Sequence, residues 1–587
     1  MLLRRRVSTG PPLTQSRFRR TDTYRTRARA QIYLKDPMAL SKPGEFPVGF
    51  AIVGGDTSIG PGPTSSRFMV VDYDASADRV HRPAYPLPER IVHWSKGLGE
   101  RLIDFRGRTG QREEAQINAW ATAVDTLDLF QQPIALGREI PWAFDASRLR
   151  ILPQAMYEAN AFYSRQTRAL HFGYFHDSHG QSIKTALSHD IVAHETAHAI
   201  LDGLRPYYLE TSHPDTPAFH EYVGDLSAML SLFRQREFIG QVVEQPRGSR
   251  SFYNLITNLA PQVALGVYGD ADRAFLRTAA NSTTYQHVQP HSEPHRRCEV
   301  LTGLAFDLFR DIFDIRSRTP EAAASEPGPG TSFKNLVTTA RHVAQMLLRP
   351  LDLLPPGEIT FPEYASILLR IDQHFHAGDN LGYRAALERI LRRRGLHPAT
   401  FNYEWEAAAQ PPEHRRLRER NIDMIRSSRV GAYRFLDANR KAFGISPLRD
   451  FRVVGLATNH RELDRGYLPP AETIIQYVWE ERVKLPADMR TTALDHAVVR
   501  GGGTVAVDDN VNLVHWSPQQ VTTARREAAR EHLVRLLQDR AIDLAPIPTV
   551  RSGRPIVAGM DGTGSIRLML NTARLHDGRG KAVHRAR

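Results

Sequence analysis

The feature that most constrains this 587-residue chain is the stretch DIVAHETAHAILDG at residues 190–203. His194 and His198 are four residues apart, so on an α-helix they share one face and both imidazoles can reach one cation at about 2.0–2.1 Å. Glu195 lies one residue round the helix, where its carboxylate can contact a metal-bound water rather than the metal. Apolar residues flank the three on both sides, so the helix would be buried, and buried polar groups destabilise a fold unless they are paired. The stretch therefore predicts a metal site on a buried helix.

A catalytic zinc site needs a third protein ligand, and the next predicted helix, containing FHEYVGDLSAML, supplies one. Glu221 and Asp225 are again four residues apart on a segment with apolar periodicity. Glu221 would complete a site of two histidines and one glutamate and leave the fourth position for water. Asp225 would accept the free ring N–H of a zinc histidine and fix its tautomer. The alternative is a surface carboxylate pair on an amphipathic helix.

These residues carry a resemblance. DIVAHETAHAILDG followed by HEYVGDLSAML resembles the thermolysin-like gluzincin metallopeptidases, whose pattern is HExxH, about twenty residues, and then ExxxD. The gap from His198 to Glu221 is 23 residues here. The metzincin pattern is excluded, because positions 201 and 204 are both leucine instead of glycine and histidine. Upstream, ANAFYS and LHFGYF are similar to the family's edge strand, which binds the substrate backbone as an added strand. The resemblance covers about residues 113–400 and implies Asn160 and Ala161 as substrate-binding residues.

The resemblance also implies a histidine and a tyrosine that hydrogen-bond the developing oxyanion. The candidate histidines are His287, His291 and His295. We choose His295 because it stands just before a predicted helix, although the Asn-Ser-Gly that follows this histidine in the family is absent. Tyr208 lies at nearly the family's offset, with Tyr207 as a rival and a structural aromatic as the alternative.

The activity implied by the resemblance is zinc-dependent hydrolysis of peptide bonds. Zn²⁺ would be held by His194, His198 and Glu221, and Glu195 would take a proton from the activated water and deliver it to the leaving amine. A peptide or protein would be the substrate, and an endopeptidase is favoured because the aminopeptidase Gly-x-Met-Glu-Asn spacing is absent. The rival interpretation is a non-catalytic binding or scaffold protein on a peptidase fold, with a structural or empty zinc site.

The expected fold class is α+β. We expect a thermolysin-like, two-lobed zincin core, with a β-containing N-terminal lobe, a mainly helical C-terminal lobe and a mixed accessory region. The predicted segments are a disordered basic tail (1–35), a β-rich region (36–110), the metallopeptidase-like domain (111–400), an accessory domain (401–565) and a second basic tail (566–587).

Hydrophobic periodicity and turn residues predict the secondary structure within these segments. They predict a hairpin or short sheet over 46–75, helices over 113–132, about 182–201 and 521–541, strands within 149–175, mainly helices over 219–400, and a hairpin over 498–517. The three glycines at 501–503 favour a turn or strand entry over a phosphate-binding loop.

Charge and composition limit the other functions. The net charge is +13, but residues 1–30 contribute +8 and residues 571–587 contribute +4, so the body of the chain is close to neutral. This distribution argues against a specific nucleic-acid partner and leaves weak polyanion attraction to the tails. The single cysteine, Cys298, is expected to be a buried, inert thiol. With neither a secretory signal nor a transmembrane segment predicted, we expect a cytoplasmic protein, and the sequence leaves the oligomeric state open.

Overall fold

The computed structural model has a mixed α/β architecture, consistent with the expected α+β class. It describes residues 24–37, 48–54, 58–87, 90–95, 98–107, 111–210, 212–246, 249–268, 275–289, 293–318, 329–376, 378–396, 417–462, 469–484, 496–538, 542–544, 556–560 and 565–571. Among these residues, none of the helices is both long enough and apolar enough to cross a membrane.

The helices are α1 Arg112–Gln131, α2 His189–Leu204, α3 Asp215–Leu232, α4 Arg236–Glu244, α5 Arg250–Thr257, α6 Pro261–Tyr268, α7 Tyr285–Val288, α8 Pro294–Ser317, α9 Pro329–Leu348, α10 Phe361–Phe375, α11 Tyr383–Arg393, α12 Ile422–Ser427, α13 Arg429–Ala438 and α14 Thr523–Gln538. Short 3-10 turns cover Thr185–Leu187, Pro206–Leu209 and Arg349–Leu353.

The strands are β1 Tyr24–Tyr33, β2 Val48–Gly54, β3 Phe68–Val70, β4 Tyr73–Asp74, β5 Arg79–Val80, β6 Arg90–Ser95, β7 Leu98–Phe105, β8 Leu149–Tyr157, β9 Ala161–Ser164, β10 Ala169–His176, β11 Ser182–Lys184, β12 Asn258–Leu259, β13 Arg277–Thr278, β14 Arg452–Asn459, β15 Glu472–Lys484, β16 His496–Val507, β17 Leu513–Gln519, β18 Ile542–Leu544, β19 Ile556–Met560 and β20 Ser565–Leu570.

The N-terminal sheet has the order β2-β1-β7-β6, and it begins earlier than the sequence predicts. Residues 1–35 were expected to form a disordered tail, but Tyr24–Tyr33 forms a strand that pairs with both β2 and β7. The physical reason is the alternation of Ala28, Ala30 and Ile32, all buried, with arginine and glutamine between them. The expectation therefore fails for residues 24–35, and residues 1–23 lie outside the described part.

A second sheet, of order β11-β10-β8-β3, carries the region next to the predicted metal site. β9 forms an antiparallel hairpin with β10, with Ala161 opposite Phe172 and Tyr163 opposite Leu170. The two β-rich runs of residues 46–75 do not form a hairpin with each other. β2 pairs with the preceding strand β1 in the first sheet, and β3 pairs with β8, a strand distant in sequence, in the second.

The helix with the two histidines is shorter at its start than predicted. Residues 182–187 form β11 and a 3-10 turn, and α2 begins only at His189, where the Ser188 side chain accepts a hydrogen bond from the Ile191 N–H. An N-terminal serine cap of this kind satisfies one of the backbone donors that a helix leaves free. The helix predicted over 113–132, the strands predicted within 149–175 and the mainly helical character predicted for 219–400 are confirmed in the described residues.

Residues after 417 build a larger mixed sheet of order β14-β15-β16-β20-β19-β18, with β17 beside β16. The predicted 498–517 hairpin is confirmed as β16 and β17, and the three glycines lie inside β16. One hydrophobic cluster is formed only by residues of 417–513, but Ile474, Ala506 and Leu568 belong to the main core that also contains the α2 residues Ile200 and Leu201. The C-terminal region therefore shares a core with the rest of the chain.

Candidate metal centre

The α2 helix is fixed in the core at both ends. At its start, Asp190 forms a buried ion pair with Lys35, which follows β1, at 3.1 Å. Near its end, Asp202 accepts hydrogen bonds from the Tyr163 hydroxyl at 2.7 Å and from Arg165 Nε at 2.8 Å. Buried charges are tolerated only when they are paired in this way. The helix that carries His194, Glu195 and His198 is thus held between the two sheets of the N-terminal half.

The structure brings the two histidines of α2 together with Glu221 of α3. His194 Nε2 lies 3.4 Å from Glu221 Oε2, and His198 Nε2 lies 3.5 Å from Glu221 Oε1. The two imidazole rings are 4.8 Å apart between centroids and nearly perpendicular. All three side chains are buried. The carboxylate from the neighbouring helix therefore faces the Nε2 atom of each imidazole.

These distances fit the residues to a tetrahedral cation. Two ligand atoms that each lie about 2.05 Å from a tetrahedral metal are separated by ~3.3 Å, close to the two distances observed. Neither His198 Nε2 nor Glu221 Oε1 has a hydrogen-bond partner among the residues that the structure describes. Ligand atoms of His194, Glu195 and His198 also lie within 4.8 Å of one another. Two imidazoles, which lose their extra proton when they bind a metal, and one carboxylate are a donor set that zinc prefers.

Glu195 is oriented by the edge strand β9. Its Oε2 accepts a hydrogen bond from the Tyr163 backbone N–H at 3.0 Å, and the side chain is buried. The hydroxyl of the same tyrosine donates a hydrogen bond to Asp202. Glu195 and Asp202 are seven residues apart and lie on one face of α2, so this face binds β9 through two carboxylates. The predicted base is therefore directed toward the strand that we expect to bind substrate.

Asp225 lies beside His194, as the sequence predicts for a residue that fixes its tautomer. Asp225 Oδ1 is 3.2 Å from His194 Nδ1, and it also pairs with Arg277 Nη2 of β13 at 2.8 Å. Its second oxygen accepts a hydrogen bond from Thr302 of α8 at 3.2 Å. The buried thiol of Cys298 donates to the carbonyl of His295 at 3.0 Å, and burial raises the pKa of this thiol. Cys298 is thus part of the packing around Asp225.

His295 joins the site from the first turn of α8. Its Nε2 lies 3.0 Å from Glu221 Oε2, and its Nδ1 lies 2.7 Å from Glu293 Oε1. Of its two rivals, His287 is exposed and contacts the Thr284 hydroxyl through Nδ1, while residue 291 is outside the described part. The structure therefore places His295 beside a predicted metal ligand, which is consistent with choosing it.

Tyr208 is not brought into contact with these residues. Its side chain is fully buried, and its hydroxyl donates a hydrogen bond to the Pro355 carbonyl at 2.8 Å. The predicted oxyanion role of Tyr208 is therefore unsupported, because its single O–H is committed to a structural bond. Tyr207, the rival, lies under the Arg500 guanidinium, 4.3 Å from its ring centroid.

The two residues predicted to bind the substrate backbone begin the β9 edge. Asn160 and Ala161 are buried, the Asn160 carbonyl accepts a hydrogen bond from the Gly173 N–H, and the Asn160 side chain accepts one from the Ala161 N–H at 2.9 Å. β9 pairs with β10 on one side only among the described strands. Their position at this edge is compatible with pairing to an added strand.

The charged groups of the centre interact closely, and Arg277 Nη1 lies 3.3 Å from Glu221 Oε2. Burial and Arg277 lower the pKa of His194, but Asp225 and Glu221 outweigh them and raise it to about 9. Burial lowers the pKa of His198 to about 3. Burial alone would raise the pKa of Glu221, yet His295 and His194 hold it well below its usual range. Glu221 is therefore held in the ionised form that a carboxylate needs in order to bind a metal.

Four residues near the centre were not predicted from the sequence: His220, Gly224, Arg277 and Glu293. A side chain at Gly224 would meet the His194 ring, its Cβ falling 2.7 Å from Cγ, so the missing side chain lets the ring lie against α3. A glycine inside an otherwise regular helix, between Glu221 and Asp225, is a signal that could have found this contact. The other three have no local signal, because only the fold brings them to the histidines.

No family model matches the chain, and no curated protein matches it.

Proposed function

We propose that this chain is a zinc-dependent peptidase, with zinc held by His194, His198 and Glu221. The observation that carries the proposal is the pair of Nε2–carboxylate distances, 3.4 and 3.5 Å, between the two histidines of one helix and the glutamate of the next. Zinc bound there would supply a Lewis acid that lowers the pKa of a water molecule toward about 7.

Glu195 is the proposed general base. Its carboxylate is beside the two histidines, and the Tyr163 N–H holds one of its oxygens at 3.0 Å. It would accept a proton from the water that attacks the peptide carbonyl, and it would later deliver this proton to the amine that leaves. A carboxylate fixed by a backbone donor needs little reorientation between the two steps, which favours both.

His295 is the proposed donor to the oxygen that becomes negative when the carbonyl is attacked. Burial lowers the pKa of His295, but Glu221 and Glu293 raise it above its usual value, so the protonated ring donates Nδ1–H to Glu293 and also presents an N–H at Nε2. That N–H now faces Glu221 Oε2 at 3.0 Å and would exchange this carboxylate for the substrate oxygen. A donor of this kind contributes about 10²–10³ in kcat in enzymes that stabilise an oxyanion.

The peptide would lie along β9 as an added strand. We infer from the resemblance that Asn160 and Ala161 contact its backbone, with the second sheet as one lobe and α3, α8 and the helices after them as the other. Main-chain hydrogen bonds bind many sequences, which suits a peptidase that cleaves within chains. The proposed fold is thus a thermolysin-like pair of lobes with α2 between them.

The test is the Glu195→Gln variant, assayed on a broad mixture of peptides by the appearance of new N-termini. We expect it to retain zinc and to lose about 10²–10⁴ in rate, because the amide keeps the shape of the base but accepts no proton. Glu237→Gln, the same change at an exposed residue of α4, is the matched control and should leave the rate unchanged. Equal activity of the wild type and Glu195→Gln would refute the assignment.

One contact favours a second candidate, a non-catalytic protein with a structural metal. Because His295 Nε2 is as close as 3.0 Å to Glu221, this ring could serve as a fourth ligand, and structural zinc sites have four protein ligands. The His295→Ala variant separates the two functions. A peptidase would keep its zinc and lose rate, whereas a structural centre would lose zinc affinity and thermal stability together.

A further inference from the structure

His220, the residue before Glu221, contacts His198 on the side of the ring that is opposite to Glu221. His220 Nδ1 lies 3.4 Å from His198 Nδ1, and the ring centroids are 5.5 Å apart. Both side chains are fully buried. One turn of α3 thus places Glu221 next to Nε2 of His198 and His220 next to Nδ1 of the same ring.

We propose that His220 is a positioning residue that fixes the tautomer and ring orientation of His198, an inference that rests on the proposed function. The facing atoms are both Nδ1, so a hydrogen bond between them requires a proton on one nitrogen and a lone pair on the other. A neutral imidazole that offers Nε2 to a metal carries its proton on Nδ1. His198 is therefore the donor, and His220 accepts at Nδ1 with its own proton on Nε2.

The arrangement destabilises the fold, which argues against a purely structural role. His220 Nε2 has no hydrogen-bond partner within the described part of the chain. A buried donor that is left unsatisfied costs about 1–3 kcal/mol. An apolar side chain would avoid this cost, so the contact of His220 Nδ1 with His198 is what favours a histidine here.

The two metal-facing histidines consequently have acceptors of different charge. His194 faces the ionised Asp225, whereas His198 faces a neutral imidazole. If a carboxylate replaced His220 as well, two negative charges would lie next to the histidine ligands. The second charge would make a bound metal a weaker Lewis acid toward a substrate oxygen. His220 therefore orients His198 without adding charge.

The experiment compares zinc affinity, measured by competition with a chelator, and the thermal unfolding of the zinc-free protein. His220→Leu removes the acceptor and should weaken zinc binding by about 10–100-fold. The same variant should leave the zinc-free protein about as stable as the wild type, because removal of the unpaired His220 N–H offsets the loss of the acceptor for His198. His220→Asn restores an acceptor oxygen and should bring zinc affinity back to within about threefold of the wild type.

Two results would overturn the inference while the proposed function stands. One is a His220→Leu variant that binds zinc as tightly as the wild type. The other is a loss of both affinity and zinc-free stability in both variants, which is the signature of a packing role. If the wild type binds no zinc, the proposed function fails first and the role of His220 falls with it.

Discussion

Gly224 offers a sharp test of the geometry, because two opposing effects of one methyl group can be weighed. In a helix interior, replacing glycine by alanine stabilises by about 0.8–1.0 kcal/mol. At Gly224 the new Cβ would lie 2.7 Å from Cγ of His194, whereas ordinary contact begins at 3.4 Å. Overpacking in a buried site typically costs about 1–3 kcal/mol. The net change in the free energy of unfolding should therefore be small, about 0–2 kcal/mol of destabilisation.

Zinc affinity should respond far more strongly than stability. Ordinary contact with the new methyl group requires Cγ of the His194 ring to move by at least about 0.7 Å, and a misplacement of about 1 Å is enough to remove about 10²-fold in activity from a positioned group. We therefore expect Gly224→Ala to fold and to bind zinc at least about 100-fold more weakly than the wild type. The assays are chelator competition for affinity and chemical denaturation for stability.

Gly240 supplies the matched control. It lies inside α4, and a Cβ built there meets no atom within 4 Å. Gly240→Ala should stabilise the protein by about 1 kcal/mol with unchanged zinc affinity. If Gly224→Ala behaved in the same way, the α3 backbone would not lie against His194, and the described packing of α2 on α3 would be refuted.

Three further predictions concern the surroundings of the centre. Asp352→Asn should destabilise the protein by about 3–5 kcal/mol at pH 7, because it leaves the buried Arg138 guanidinium without its carboxylate and Arg461 with Glu472 alone. Burial alone would raise the pKa of Asp352, but these arginines lower it, so its contribution is present above the unfolded pKa and is lost as the pH falls through the folded one. Urea titrations should therefore show that the difference in the free energy of unfolding between the wild type and Asp352→Asn decreases below about pH 4. A difference that does not vary with pH would contradict this. Tyr208→Phe should lower stability by about 1–3 kcal/mol, through the buried Pro355 carbonyl, with activity within a few fold of the wild type, whereas a loss near 10²-fold in kcat would restore its oxyanion role. A chain ending at residue 400 should lose cooperative thermal unfolding, since the main core includes Ile474 and Leu568, and a sharp transition in that fragment would show a separable domain.

Sequence periodicity was sufficient where one element decides its own structure. The helix over 112–131 and the β16–β17 hairpin follow from local patterns, and both lie within a residue or two of the prediction. The spacing in HExxH and ExxxD predicted which side chains share a helix face, and the structure brings His194, His198 and Glu221 together. These features depend on contacts that are close in sequence.

The failures concern pairings between distant parts of the chain. β1 was missed because it is rich in arginine, and the strand is stabilised by β7, more than sixty residues later. β2 and β3 were expected to pair with each other but belong to different sheets, since strand partners are not encoded in either run alone. Tyr208 had a suitable offset from His198, but an offset does not show that its hydroxyl points to Pro355.

The C-terminal region shows the same limit at the level of domains. Its composition changes after residue 400, which suggested an accessory domain, yet Gln519 bonds the backbone of Gly357 and Glu358, and Thr504 bonds the Leu354 carbonyl. These contacts satisfy buried main-chain groups in the segment after α9. A composition change marks a different texture, but only long-range contacts decide whether the two parts share a core.

The most direct test of the central claim is the metal content of the purified protein, measured by elemental analysis for the wild type and for His198→Ala. The account predicts about one zinc per wild-type chain and its loss in the variant, since two of three ligands hold zinc poorly. A wild-type protein that takes up no zinc even after reconstitution would contradict the account. The stretch DIVAHETAHAILDG would then be a core helix that happens to carry two histidines.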